Sequence, residues 1–185
     1  MLCLMKNKRN LKKNNMDTRL NIRQIQKIVI KYIDRRNDCI VVPNLSFGLL
    51  NHEADLAIIN KSNRLTEIEI KRSYSDLKAD FSKEVFHKDE KVCNFYFALP
   101  ISIRQKAEEL FQGEYKKLAD LYGDLCLAAN RPAVLYYDDD GGIVWNERNS
   151  YVYNGRRLFL EEVAKCARLM SLRYWKLVDT ITPEN

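Results

Sequence analysis

"TEIEIKRSYSDLKADF", Thr66 to Phe81, holds the switch of period on which the fold turns. Its first half alternates. Glu67, Glu69 and Lys71 share one face of a strand, and Ile68 and Ile70 take the other. Neighbours on one face stand about 6.6 Å apart, at a rise of about 3.3 Å per residue. The second half reads as helix. Ser73 followed three residues later by Asp76 is a capping-box pattern, and Leu77, Phe81, Val85 and Val92 mark one apolar stripe. Three readings of the charged strand face stand open: a solvated edge strand, a salt-bridged Glu69–Lys71 face, or a metal site.

Working outward, "EADLAIIN" (53–60) and "LTEIEIK" (65–71) are strands joined by the turn residues "KSNR" (61–64), so they form a hairpin. "CIVVPNLSF" (39–47) is an earlier strand, with Pro43 marking an edge or a bulge. "NFYFALP" (94–100) is a buried strand. A strand, a helix and a strand make a crossover unit, so 65–71 and 94–99 should run parallel. From Asp17 to Arg36, apolar residues at 20, 22, 25, 28, 29, 32 and 33 have helical spacing, with Asp17 or Thr18 as the N-cap. The outer face carries Arg23, Lys27, Lys31, Arg35 and Arg36. Such a face suits solvent, or a phosphate backbone. Residues 101–122 read as helix broken at Gly113, 133–146 as a hairpin around Asp-Gly-Gly, and 157–178 as a closing helix. There is no internal repeat and no linker. The expectation is one α/β domain over 17–180, a mixed central sheet flanked by helices with core order α-β-β-β-α-β.

The 185 residues suffice for one domain with a core, and an apolar share of 46% makes it globular. The net charge of +6 suits a polyanion such as nucleic acid. Five cysteines at 3, 39, 93, 126 and 166, with no C-x-x-C pair, argue against a disulfide framework or zinc knuckle and for reduced core thiols. No apolar run is long enough to span a membrane. Residues 1–15 carry five basic residues and no acid, and their lysines follow the apolar start rather than precede it. That is not a secretory signal. The expectation is a disordered basic arm over 1–16 and a cytoplasmic protein.

In the hairpin, Asp55 lies on the same face as Ala57 and Ile59 and comes within about 5 Å, Cβ to Cβ, of a residue near Glu69. Two carboxylates so close repel unless a cation sits between them. Mg²⁺ suits the place, because it takes oxygen ligands, needs only one or two carboxylates and keeps waters for chemistry. A nearby lysine can orient such a water or neutralise developing charge.

Asp55, thirteen further residues and then Glu69-Ile70-Lys71 resemble the D…(D/E)-x-K signature of the PD-(D/E)XK nuclease superfamily, whose restriction-endonuclease-like core has the same element order. The superfamily's usual proline before the aspartate is Ala54 here. "EIEIKRSYSDLKADFSKEVFHKDEKVCNFYFALP" further resembles the MmcB-like branch of DNA-repair proteins, over roughly residues 20 to 100. The resemblance implies a metal-dependent nuclease acting on DNA in repair or mobile-element processing. Asp55 and Glu69 would be catalytic metal ligands, the Ile70 backbone carbonyl a further ligand, and Lys71 the catalytic lysine. Mg²⁺ would be the cofactor, with Mn²⁺ as a substitute. DNA would be the partner, and a homodimer is compatible. The competing reading is a non-catalytic nucleic-acid-binding or protein-interaction module on the same fold.

Other residues attract weaker readings. Glu53 is an auxiliary ligand or a solvated side chain. Glu67 should pair with a neighbouring lysine. Asp76 and Asp80 share a helix face, and capping accounts for Asp76. His52 and His87 have no metal-ligand spacing. Arg72, Lys78 and Lys83 flank the site and can hold phosphates. No phosphate-binding P-loop, dinucleotide fingerprint, H-E-x-x-H or Ser-His-Asp set occurs.

Overall fold

The computed structural model describes residues 17–33, 39–46, 48–82, 89–114, 133–146, 151–152 and 155–181. The expected basic arm over 1–16 lies outside them.

The first helix, α1 (Ile22–Ile33), buries Ile25 and Val29. It starts later than the spacing suggests. Asn21 and Gln24 cap it reciprocally, each backbone N–H donating to the other's side chain at 2.8 and 3.0 Å. Asp17, the expected cap, is drawn elsewhere: its carboxylate accepts the Tyr74 N–H at 2.9 Å. Thr18 bonds the Asp139 carboxylate across the molecule.

Strands β1 (Ile40–Leu45), β2 (Ala54–Ile59) and β3 (Leu65–Ile70) follow as an antiparallel meander. Pro43 has no N–H to give and sits in β1, the outer strand of the sheet, where one flank needs no donor. Asn60 makes the β2–β3 turn, its side-chain oxygen accepting the N–H groups of Ser62 and Arg64. Helix α2 (Tyr74–Asp80) is capped by Ser73, whose hydroxyl accepts the Asp76 N–H at 3.1 Å. Then β4 (Val92–Pro100) runs parallel to β3, as a crossover requires. Of the expected stripe, Leu77 is buried in α2 and Phe81 at its end, Val85 lies outside the described residues, and Val92 opens a strand instead of closing a helix.

A 3₁₀ turn (Ile101–Ile103) leads into α3 (Arg104–Gly113), which ends at Gly113, the expected break. The rest of the expected 101–122 helix lies outside the described residues. Strands β5 (Val134–Tyr137) and β6 (Ile143–Asn146) form the expected hairpin. At its tip Gly141 has φ +89° and the Asp138 carboxylate accepts the Gly142 N–H at 2.7 Å. Strand β7 (Tyr151–Val152) pairs the first half of β4, and β5 pairs its second half. Helix α4 (Leu160–Ile181) closes the chain.

The sheet order is β1-β2-β3-β4-β5-β6 with β7 beside β4, a single mixed sheet in a single α/β domain with the order helix, three strands, helix, strand. Helix α1 covers one face, over Leu56, Ile58, Ile68, Ile70, Ala98 and Leu135. The other face carries two apolar clusters. One joins Leu77 and Phe81 to Phe95, Phe97 and Phe111. The other joins Ala57, Ile59 and Leu65 to Leu158 and Cys166. Cys93 and Cys166 are buried free thiols, as expected of core cysteines.

Candidate functional site

The charged face of β3 lies between those two clusters. The strand is central, so the solvated edge-strand reading of its carboxylates fails, whereas the Glu69–Lys71 salt bridge of the other non-metal reading is formed. Glu67 and Glu69 pair with Phe95 and Phe97 of β4, and Glu67 faces Ala57 of β2. Both carboxylates are buried. A polar seam therefore crosses an otherwise apolar face.

The β2–β3 ladder runs from Ile59–Leu65 to Leu56–Ile68. One step further along the same register sets Asp55 opposite Glu69, on the same face. There the backbone rung gives way to a side chain, and the Ile70 N–H donates to Asp55 Oδ2 at 2.8 Å. The N–H and C=O of one strand residue point the same way, so the Ile70 carbonyl also faces β2. Gln26 of α1 holds the other end of this junction, its amide donating to the Asp55 carbonyl at 2.9 Å. Asp55 itself is half-buried.

Lys71 follows directly. Its N–H donates to the Ala98 carbonyl at 3.0 Å. Its carbonyl accepts the Tyr137 hydroxyl at 3.0 Å, beside Pro100, which has no N–H. The amine donates to Glu69 Oε1 at 2.7 Å and lies 3.0 Å from Asp80 Oδ1. The three side chains are 5, 8 and 1% exposed. Burial works against charge on Lys71, but the Glu69 and Asp80 carboxylates more than offset it and raise its pKa.

The remaining expectations sort by element. Glu67 pairs not with a lysine but with His52 Nε2, at 2.8 Å, because the loop before β2 folds over the middle of β3. Glu53 is exposed and precedes β2. Arg72 is one residue past Lys71, hence on the other face, and its charge acts on Tyr137. Lys78 is exposed on α2. Lys83 lies outside the described residues. Sequence spacing pairs Asp80 only with Asp76 along the helix, yet Asp80 closes the seam, 3.0 Å from the Lys71 amine. Leu77 three residues earlier and Phe81 one later are both buried, and that pattern turns Asp80 towards the sheet.

Along the seam, Glu69 and Asp80 hold Lys71, Glu67 holds His52, and Asp55 accepts the Ile70 N–H. Among the described residues no group of three or more His, Cys, Asp or Glu is arranged to hold a metal. Two opposed carboxylates with a backbone carbonyl still match the donor chemistry of Mg²⁺, which completes its shell with water.

No protein-family model matches the chain, and no curated protein matches it. A solved structure, the SPO1766 protein of unknown function from Silicibacter pomeroyi, is similar in fold. It has 12% sequence identity and a TM-score of 0.54, with 88% of this chain and 92% of that chain covered. At that identity the likeness shows a shared mixed α/β fold.

Proposed function

We propose that this protein is a metal-dependent nuclease of the PD-(D/E)XK type, hydrolysing phosphodiester bonds in DNA in repair or mobile-element processing. One observation carries the reading: Asp55 Oδ2 accepts the Ile70 N–H at 2.8 Å, one register step past the Leu56–Ile68 pair and so beside Glu69, and Lys71 bonds Glu69 at 2.7 Å. Asp55, Glu69 and the Ile70 carbonyl would hold Mg²⁺ or Mn²⁺. When bound, such an ion supplies Lewis acidity and a more acidic water. The surplus of carboxylates in the seam favours a cation there. Lys71 would orient the attacking water and neutralise charge developing on the phosphate. Arg23, Lys27 and Lys31 stand exposed along α1 at four-residue spacing, on the opposite side of the sheet from the seam, and would add sequence-independent attraction to DNA rather than contacts at the cleaved phosphate. The reading places the protein in the cytoplasm and admits a homodimer; no described helix is long and apolar enough to cross a membrane.

The test is cleavage of labelled duplex, single-stranded and branched DNA with Mg²⁺, Mn²⁺ or EDTA, beside Glu69→Ala and Lys71→Ala. Cleavage that needs metal and is lost in both variants supports the reading. Wild-type rates in both variants overturn the site. A second reading, a non-catalytic binding module, is favoured by the closed Glu69–Lys71–Asp80 trio. Salt-sensitive DNA binding with no cleavage under any condition would select it.

A further inference from the structure

The Lys71 amine has two carboxylate partners from different elements. Glu69 is its neighbour on β3 and follows from strand alternation. Asp80 comes from α2, nine positions on, and is 1% exposed. The helix that presents it is fixed at both ends. Asp17 and Ser73 accept its first N–H groups, and Leu77 and Phe81 anchor it in the aromatic cluster of Phe97 and Phe111. The backbone of Lys71 is held on both sides, by Ala98 and Tyr137. Strand and helix therefore fix both ends of this side chain.

Stability alone gives little reason for the arrangement. A buried ion trio loses much of its Coulomb gain to desolvation, and well-packed apolar residues often serve as well or better. What a second carboxylate does supply is direction. An ammonium has three N–H groups, and an amine held by Glu69 alone would settle wholly on that carboxylate.

We propose that Asp80 is the positioning residue for Lys71, sharing its amine with Glu69 and holding it between strand and helix. What the positioned amine does rests on the nuclease reading. That Asp80 positions it does not.

The test has two arms, both on the full chain. The first follows the Lys71 ammonium signal in ¹H–¹⁵N spectra, assigned by its loss in Lys71→Met. Its protons exchange slowly in the wild type. Asp80→Asn speeds that exchange by about tenfold or more, and Asp80→Glu restores part of the protection. Unchanged exchange in folded Asp80→Asn overturns the proposal. If Asp80→Asn does not fold, Asp80→Glu shifts the same signal, and an unshifted signal overturns it. The second arm is kinetic. Asp80→Asn lowers kcat by about tenfold or more with KM for DNA unchanged, the mark of a misplaced group. Unchanged kcat overturns the catalytic part. If the wild type cleaves nothing, the nuclease reading fails, and the exchange arm alone decides whether Asp80 holds the amine.

Discussion

Asp55 Oδ2 accepts the backbone N–H of Ile70 at 2.8 Å where the β2–β3 ladder stops. One carboxylate thus serves as a structural rung and as a candidate metal ligand, and substitution can separate the two roles. Asp55→Asn keeps an oxygen acceptor and removes the charge. Asp55→Ala removes both. On the proposed nuclease reading, metal-dependent cleavage should vanish in each. Only Asp55→Ala should lose stability, by about 1–3 kcal/mol for the orphaned N–H, in urea unfolding. Equal stability losses would show that the rung contributes nothing.

The loop into α4 is held by Arg156, which bonds Glu162 at 2.6 and 2.7 Å and Glu90 at 3.2 Å. The Arg156 hydrogen bond holds the Glu162 pKa down at about 2, against burial, which works to raise it. A carboxyl whose native pKa is depressed binds fewer protons folded than unfolded. Its contribution is complete above its ordinary value near 4.5 and is lost as pH falls towards 2. Glu162→Gln should therefore flatten the acid limb of stability against pH between those values. An unchanged limb would remove Glu162 from the acid transition.

If the proposed nuclease binds DNA, part of that binding should run along the basic ridge of α1. Each phosphate neutralised contributes about 0.9 to the slope of log affinity against log salt on duplex DNA. Replacing Arg23, Lys27 and Lys31 together by Gln should lower that slope by about 2 to 3 in EDTA, where no cleavage intervenes. An identical slope would show that the ridge is only a solvated face.

Gly155 lies against β4 so closely that a Cβ there would stand 2.0 Å from the Val92 carbonyl oxygen. Since that neighbour is backbone, one of the two strands of chain must shift. The Cys93 thiol, which meets the Gly155 carbonyl at 3.2 Å, would lose its contact as well. Gly155→Ala should cost about 1–3 kcal/mol of stability, the usual range for overpacking, measured by chemical denaturation. A wild-type midpoint would mean that the segment moves aside freely.

Much of the architecture was legible along the chain, because its causes are local. Alternation of Glu67 to Lys71 marked β3, Ser73 and Asp76 marked the start of α2, and Asp-Gly-Gly marked the β5–β6 turn. The parallel crossover followed from element order alone. The pairing of Asp55 with the end of β3 was legible too, because a short hairpin sets its own register. Helix ends were less so. Asn21 and Gln24 offered a cap as good as Asp17, and only the fold shows that Asp17 is committed to Tyr74.

Residue order by itself determined which side chains share a face: Glu67, Glu69 and Lys71 together, with Asp55 beside them. The tertiary structure decided what that face meets. Packing of α2 against the aromatic cluster brought Asp80 to Lys71, and the loop before β2 brought His52 to Glu67. Placing β3 at the centre of the sheet turned a solvent-ready pattern into a buried one. The reason is physical. Periodicity reports the faces of one element, whereas burial and the partner of a charge depend on which other elements pack there.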